Sequence, residues 1–344
     1  MSFKQKLLDW FSSYGLMVLG VILIFSATVS FKTGHYPVLK FSEIVVGASN
    51  SRMSVVGGDT EIKTLPVSHP IIPLAKDGSE FTGKLSAQAA LVLDDSTDTV
   101  LYNFNSEIPR PLASITKLMS MLVLSDLPIR WASTTVVLED DCDSSSHHIV
   151  PGEKYTLDDL WHIALIGSSN SAVRVLVRAS GLTQESFVAL MNKKAAALGL
   201  TSAKFTDPTG LDAGNMANAL DTAKLLRESL KNKKIAEATR IGEYYARPLD
   251  SKKPKRIWST DWLLTNWIPN KFAKDCIAGK TGYIVDSGYN FAVWLKDDAG
   301  HTVRVVILGA NSNESRFSEA RDLAMWAFEH YSWQGDVGYD RLVE

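Results

Sequence analysis

Residues 111–119 read Pro111-Leu112-Ala113-Ser114-Ile115-Thr116-Lys117-Leu118-Met119. On a helix, a Ser and a Lys three residues apart share one face, so the amine can reach the hydroxyl. The apolar neighbours Leu112, Ile115, Leu118, Met119, Met121 and Leu122 predict that this helix is buried in a core. Burial disfavours an ammonium, and a base for Ser must be neutral near pH 7. Lys117 then needs its pKa lowered by roughly 2–3 units, about 3–4 kcal/mol. Taken alone the pattern is weak, because a chain of this length carries about one or two Ser-x-x-Lys by chance. The competing reading is a helix start with an exposed Lys, and the rest of the chain has to decide.

The 344 residues are 45% hydrophobic and 22% charged, enough for one large domain or two small ones with a proper core. A formal net charge of −2 leaves no basic footprint for nucleic acid. Two cysteines, Cys142 and Cys276, form no metal or redox motif, and their spacing does not say whether they pair. No His-x-x-x-His is present, and His147-His148 reads as a solvated loop pair rather than a metal site. No metal and no organic cofactor is expected.

Lys4 and Lys6 lie in a short polar head, followed by the charge-free run Tyr14–Phe31. At 18 residues this run is at the lower limit for a membrane-spanning helix, which needs ~20. It reads as an uncleaved anchor in preference to a cleaved signal, since Ser26-Ala27-Thr28 forms no clean cleavage site. The basic head places the N-terminus in the cytoplasm and exports the chain beyond residue 32 to the cell envelope or periplasm, tethered to the inner membrane. The partition is then 1–35 head and anchor or signal segment, 36–85 linker broken by Gly, Pro and Ser, 86–332 main folded domain, and 333–344 tail.

Within the domain, Ala87–Leu93, a turn at Asp94–Asp98 and Thr99–Tyr102 read as a strand hairpin. Thr134–Glu139 reads as a strand. Thr156 caps a helix over Leu157–Ile166, which ends at Gly167-Ser168-Ser169-Asn170. Helices are expected over Thr183–Leu198 and Asp221–Leu230, with a turn-rich loop over Lys204–Asp212 between them. The basic run Ser251–Arg256 reads as a solvated loop. Three strands, Cys276–Gly282, Tyr289–Leu295 and Val303–Leu308, precede a closing amphipathic helix over Ser318–Tyr331. Strands and helices are segregated, which suggests α+β.

Three elements now fall in order: Ser114-Ile115-Thr116-Lys117 opening a helix, Ser168-Ser169-Asn170 in a turn, and Lys280-Thr281-Gly282 on a strand. Any one of them is common; Lys32-Thr33-Gly34 is a decoy beside the apolar run. The ordered trio resembles the signature of class A β-lactamases and penicillin-binding proteins. Residues 86–331 resemble the low-molecular-mass penicillin-binding proteins, the serine D-alanyl-D-alanine carboxypeptidase and endopeptidase family. Phe187–Ala195, Phe205-Thr206-Asp207-Pro208-Thr209-Gly210-Leu211 and Arg316–Ala320 extend the likeness. Two departures are Ser171-Ala172, where Asp-Ala is commoner, and Asp261, where Asn is usual.

The resemblance implies a β-lactamase/transpeptidase-like α+β fold: an antiparallel sheet flanked by helices, with an all-helical subdomain. It implies Ser114 as nucleophile, Lys117 as its base (neutralised by burial and by Lys280), and Ser168 as proton relay. Asn170, Lys280, Thr281, Gly282 and Tyr283 then bind substrate. Gly282 is expected to let the substrate backbone lie close, and Ser114 and Tyr283 to supply oxyanion N–H groups. Arg316 is open between a substrate-carboxylate contact and a surface salt bridge. The implied partners are peptidoglycan stem peptides, β-lactam inhibitors and the membrane through the N-terminal segment. A lactamase is disfavoured because no Glu-x-x-Leu-Asn lies between Ser171 and Lys280; a non-catalytic scaffold is disfavoured by the intact side chains. The chain ends shortly after the closing helix, which leans toward the endopeptidase branch by analogy.

Overall fold

The computed structural model describes residues 71–78, 80–143 and 148–343. The run Tyr14–Phe31 and His147 lie outside them; among the described residues no helix is long and apolar enough to cross a membrane. The central sheet has five strands: β1 Ala89–Asp94, β2 Val100–Phe104, β3 Ile277–Ile284, β4 Gly288–Lys296 and β5 Thr302–Ala310. All neighbours are antiparallel, in the order β3-β4-β5-β1-β2.

Every residue of β1 is buried, because the sheet is covered on both faces. The period-2 alternation of a strand sorts its side chains. Leu91 and Leu93 join one core, built largely from helices, whereas Ala90 and Val92 join the other. That second core is closed by the C-terminal helix Asn313–His330 through Phe317, Ala320, Leu323, Ala324 and Ala327.

The helical layer contains α1 Thr116–Asp126, α2 Leu157–Ile166, α3 Asn170–Ala179, α4 Gln184–Ala197 and α5 Ala219–Lys231. Residues Thr116–Leu124 of α1 are buried without exception, so this helix has no solvent face and runs through the middle of the core. Side chains of Thr156, Thr183 and Asn218 accept the free N–H groups that start α2, α4 and α5. This is an α+β fold of the expected class.

Several elements differ from the expectation. Helix α3 begins immediately after the Ser168 turn, capped by Ser169, where the sequence pattern shows only a turn. Its polar face, Arg174 and Arg178, is taken up by Asp143 at 2.7 Å and Asp141 at 2.8 Å. The strand expected over Thr134–Glu139 is confined to Thr134–Val136, and Glu139–Asp141 is a 3-10 turn. The basic run is not a free loop: Lys255–Trp258 pairs with Glu243–Ala246, Lys255 reaches Glu153 at 2.6 Å and Arg256 reaches Glu243.

Residues on both sides of the expected domain also pack onto it. Leu74–Ala75 pairs with Tyr331–Ser332, and Phe81 sits edge-on to Tyr102 and Trp326. Trp333 is buried and donates to Asp94 Oδ1 at 2.7 Å, and Tyr339 donates to Ile72 O at 2.7 Å. The end of the linker and the tail are therefore part of the folded unit. Cys142 and Cys276 are free thiols.

Candidate active site

Ser114 lies in a 3-10 turn, Ala113–Ile115, that runs directly into α1. The turn is set by backbone approach. Ala113 has φ +49°, an uncommon conformation for a residue with a side chain. Two glycines press on it. A Cβ on Gly210 would stand 2.0 Å from Ala113 O, and one on Gly282 would stand 2.4 Å from Leu112 O and 3.1 Å from Ser114 N. Gly282 thus has a reason beside the one expected from the sequence. Its missing side chain admits the protein's own nucleophile turn.

Lys117 is fully buried on the first turn of α1. Its Nζ is 2.8 Å from Ser114 Oγ, 2.6 Å from Asn170 Oδ1 and 2.7 Å from Thr209 O. Burial drives its pKa down to about 7; the Asp207 carboxylate opposes that and Arg174 reinforces it. A neutral amine has two N–H groups and one lone pair. Two of its three neighbours accept only, so the lone pair is left for the Ser114 hydroxyl proton. The observed set fits the base form of Lys117.

Ser168, at φ +56°, projects from the turn between α2 and α3, and Asn170 is the first residue of α3. Lys280 is buried on β3 and donates to Ser168 Oγ at 2.8 Å and to Thr281 O at 3.0 Å. Its pKa falls well below the usual value through burial, then through the charges of Lys117 and Arg316, with Asp261 opposing. The sequence reading has burial and the nearby positive Lys280 together neutralising Lys117. In the structure the two amines are both depressed by burial, and a charge on Lys117 further lowers Lys280.

Thr281 Oγ1 lies 2.6 Å from Thr260 Oγ1. Tyr283 is half-exposed and stacks on Tyr289 across the strand pair, ring centres 4.3 Å apart. Arg316 makes no surface salt bridge among the described residues: it is buried and donates to Gly282 O at 3.0 Å and Asn290 O at 3.3 Å, beneath β3. Burial lowers its pKa to about 10, offset in part by Asp261. Asp261 itself is buried and raised to about 6; Oδ1 accepts from Leu263 N and Leu264 N, and Oδ2 has no partner among the described residues.

Sequence reasoning assigns no part in the site to the loop 205–215, yet the structure packs it against Lys117 and the Ser114 turn. The Asp207 carboxylate accepts from Thr209, Gly210, Asp212 and Asn215, and these bonds hold it ionised against its burial. The loop is thereby shaped so that Thr209 O meets Lys117 and Gly210 meets Ala113. The turn pairs Asp207-Pro208 and Thr209-Gly210 are the available signal.

A part-exposed Ser beside a buried Lys, between a helical layer and the edge strand of an antiparallel sheet, defines a serine acyl-transfer site of the β-lactamase and transpeptidase class. The family model for D-alanyl-D-alanine carboxypeptidases, peptidase family S11, matches residues 76–312, and the chain belongs to that family. It is 29% identical over 269 residues to the D-alanyl-D-alanine carboxypeptidase DacF of Bacillus subtilis, covering 75% of this chain and 66% of that one. Against the D-alanyl-D-alanine endopeptidase of Haemophilus influenzae it is 27% identical over 234 residues, covering 67% and 77%. Among solved structures, a D-alanyl-D-alanine carboxypeptidase from Mycobacterium tuberculosis H37Rv superposes with a TM-score of 0.65 at 27% identity, covering 73% of this chain and 94% of that one. The Streptomyces K15 DD-transpeptidase shares the fold, with a TM-score of 0.64 at 21% identity over 72% and 98%.

Proposed function

We propose that the chain cleaves the bond following a penultimate D-Ala in cell-wall peptides, through an ester on Ser114. The observation that carries this reading is the buried Lys117 amine, 2.8 Å from Ser114 Oγ with its other two contacts on acceptors. The Ser114 proton passes to Lys117 Nζ as Oγ bonds to the carbonyl carbon. The N–H groups of Ser114 and Tyr283 receive the oxyanion, each worth about 3–4 kcal/mol in comparable hydrolases. The C–N bond then breaks, and the leaving amine takes the Ser168 hydroxyl proton, which Lys280 replaces from 2.8 Å away. The new charge on Lys117 favours this step, because it lowers the pKa of Lys280.

Water reverses the sequence. Its oxygen bonds to the ester carbon, one proton returns through Ser168 to Lys280, and the Lys117 proton returns to Ser114 Oγ. Asn170 orients Lys117 and the substrate amide, and Lys280 and Thr281 meet the substrate carboxylate. β-Lactams acylate the same serine. The enzyme acts in the cell envelope, held by residues 14–31, a reading supported by their lack of charge and the basic head before them.

Intact mass spectrometry of the full chain with excess benzylpenicillin tests this, for wild type and Ser114→Ala. One slowly lost adduct, absent from the variant and forming faster as pH rises through about 7, is expected. No adduct on the wild type, or an adduct on the variant, refutes the reading; rapid loss with drug hydrolysis turns it toward a lactamase. Digests of cross-linked and uncross-linked wall peptides then separate endopeptidase from carboxypeptidase.

A further inference from the structure

A cavity of about 350 Å³ opens next to Tyr283, between the β3–β4 hairpin, the end of β5 at Gly309 and the approach to β1 at Gln88. Arg110, four residues before Ser114, is the cation of its lining, and Asp286 on the exposed hairpin is the acid. The arginine is held in place by the fold. Arg110–Pro111 pairs with Met216–Ala217. Asn290 donates to Pro111 O and accepts from Gly309 N, both at 2.8 Å. Gly309, at φ +72°, leaves room for the guanidinium, since a Cβ there would lie 3.1 Å from Arg110 Nη2 and 3.2 Å from Nε.

Among the described residues no acid pairs with Arg110. Arg110 Nε is buried with no hydrogen-bond partner among the described residues, and burial lowers the arginine's pKa with no acid to offset it. The nearby Glu319 carboxylate is already engaged by Ser86 N at 2.9 Å, Ser86 Oγ and Ala87 N at 3.1 Å. Asp286 is exposed, so solvent and salt screen its opposition to an anion.

The strand geometry says what reaches this place, and the step rests on the function proposed above. β3 is an edge strand, open to pairing with an extended peptide. A peptide laid antiparallel on it, with its C-terminal carboxylate at Lys280–Thr281 and its reacting carbonyl at Tyr283, runs upstream past Tyr283 toward Val285. At ~3.3 Å per residue it enters the cavity within about two residues. We propose that this cavity is a carboxylate subsite, in which Arg110 receives an acidic group one or two residues upstream of the reacting D-Ala. A guanidinium suits a carboxylate because its planar fork offers two parallel N–H donors.

The test uses the full chain and tetrapeptides acetyl-Xaa-Yaa-D-Ala-D-Ala, with Glu or its isostere Gln at either upstream position. Each peptide is scored by how well it protects Ser114 from acylation by benzylpenicillin. At one upstream position Glu should compete about tenfold better than Gln in the wild type. The ratio should fall to about one in Arg110→Gln and recover in part in Arg110→Lys. A ratio taken on one preparation cancels its active fraction, and the wild-type comparison needs no variant. Equal competition by Glu and Gln at both positions, no competition by any peptide, or a preference that survives in Arg110→Gln overturns the subsite. Failure of the underlying function is distinguishable, because Ser114 then takes up no penicillin in any sample.

Discussion

Replacing Lys117 by Met removes the base while keeping much of the side chain's volume, and the structure fixes what this does to stability. A lysine whose pKa falls from 10.5 to about 7 on folding destabilises the folded state by roughly 4–5 kcal/mol at pH 7. The sign follows from proton uptake. Between pH 7 and 10.5 the unfolded chain binds more protons than the folded one, so the penalty is complete below pH 7 and fades as pH rises toward 10.5. Against this, Met leaves Thr209 O without its donor inside the protein, a cost of about 1–3 kcal/mol, while Ser114 and Asn170 border the cleft and can turn to water. Lys117→Met should therefore be more stable than wild type by about 2 kcal/mol at pH 7, and should take no penicillin adduct. By pH 9 the wild-type penalty has dropped to about 2 kcal/mol and the advantage should be gone. Urea midpoints at pH 7, 8 and 9 measure this directly. A variant less stable than wild type at pH 7, or a difference that does not change with pH, would refute the reasoning.

Two further substitutions probe the surroundings of the site. Asp261→Asn keeps the acceptor for Leu263 N and Leu264 N but removes a buried carboxyl whose pKa is raised to about 6. That penalty grows from pH 4 to pH 6, so the variant should gain about 2–3 kcal/mol at pH 7.5 and little at pH 4, read as thermal midpoints. Gly210→Ala places a methyl 2.0 Å from Ala113 O at a positive φ, and should lose penicillin acylation at Ser114 together with about 3 kcal/mol or more of stability; normal acylation would contradict this reading of the turn.

The features legible in the sequence are those specified locally. Thr156 followed by Leu157–Ile166 is a helix with its cap in the chain itself, and the structure has the same bounds. The β1–β2 hairpin and the three late strands are readable from apolar runs between turn residues. Helix α3 is not, because its polar face has Arg174 and Arg178, whose partners Asp143 and Asp141 are more than 30 residues away in the chain. The strand Lys255–Trp258 escapes for the same reason: its charges are answered by Glu153 and Glu243. At the site, the ordered motifs mark Ser114, Lys117, Ser168, Asn170 and Lys280. The contribution of Thr209 is a backbone carbonyl, which no side-chain pattern reports.

The grip on the nucleophile turn also has a genetic meaning. Gly210 comes from a loop almost a hundred residues downstream of Ala113, yet an added methyl there would strike the Ala113 carbonyl rather than any side chain. A clash with a side chain can be relieved by trimming that side chain; a clash with the main chain leaves nothing to trim. A suppressor search begun from a Gly210 substitution should therefore return reversion to glycine and no compensating change elsewhere. Drift in this protein can reshape the cleft's rim residue by residue, while the turn beneath Ser114 stays closed to gradual change.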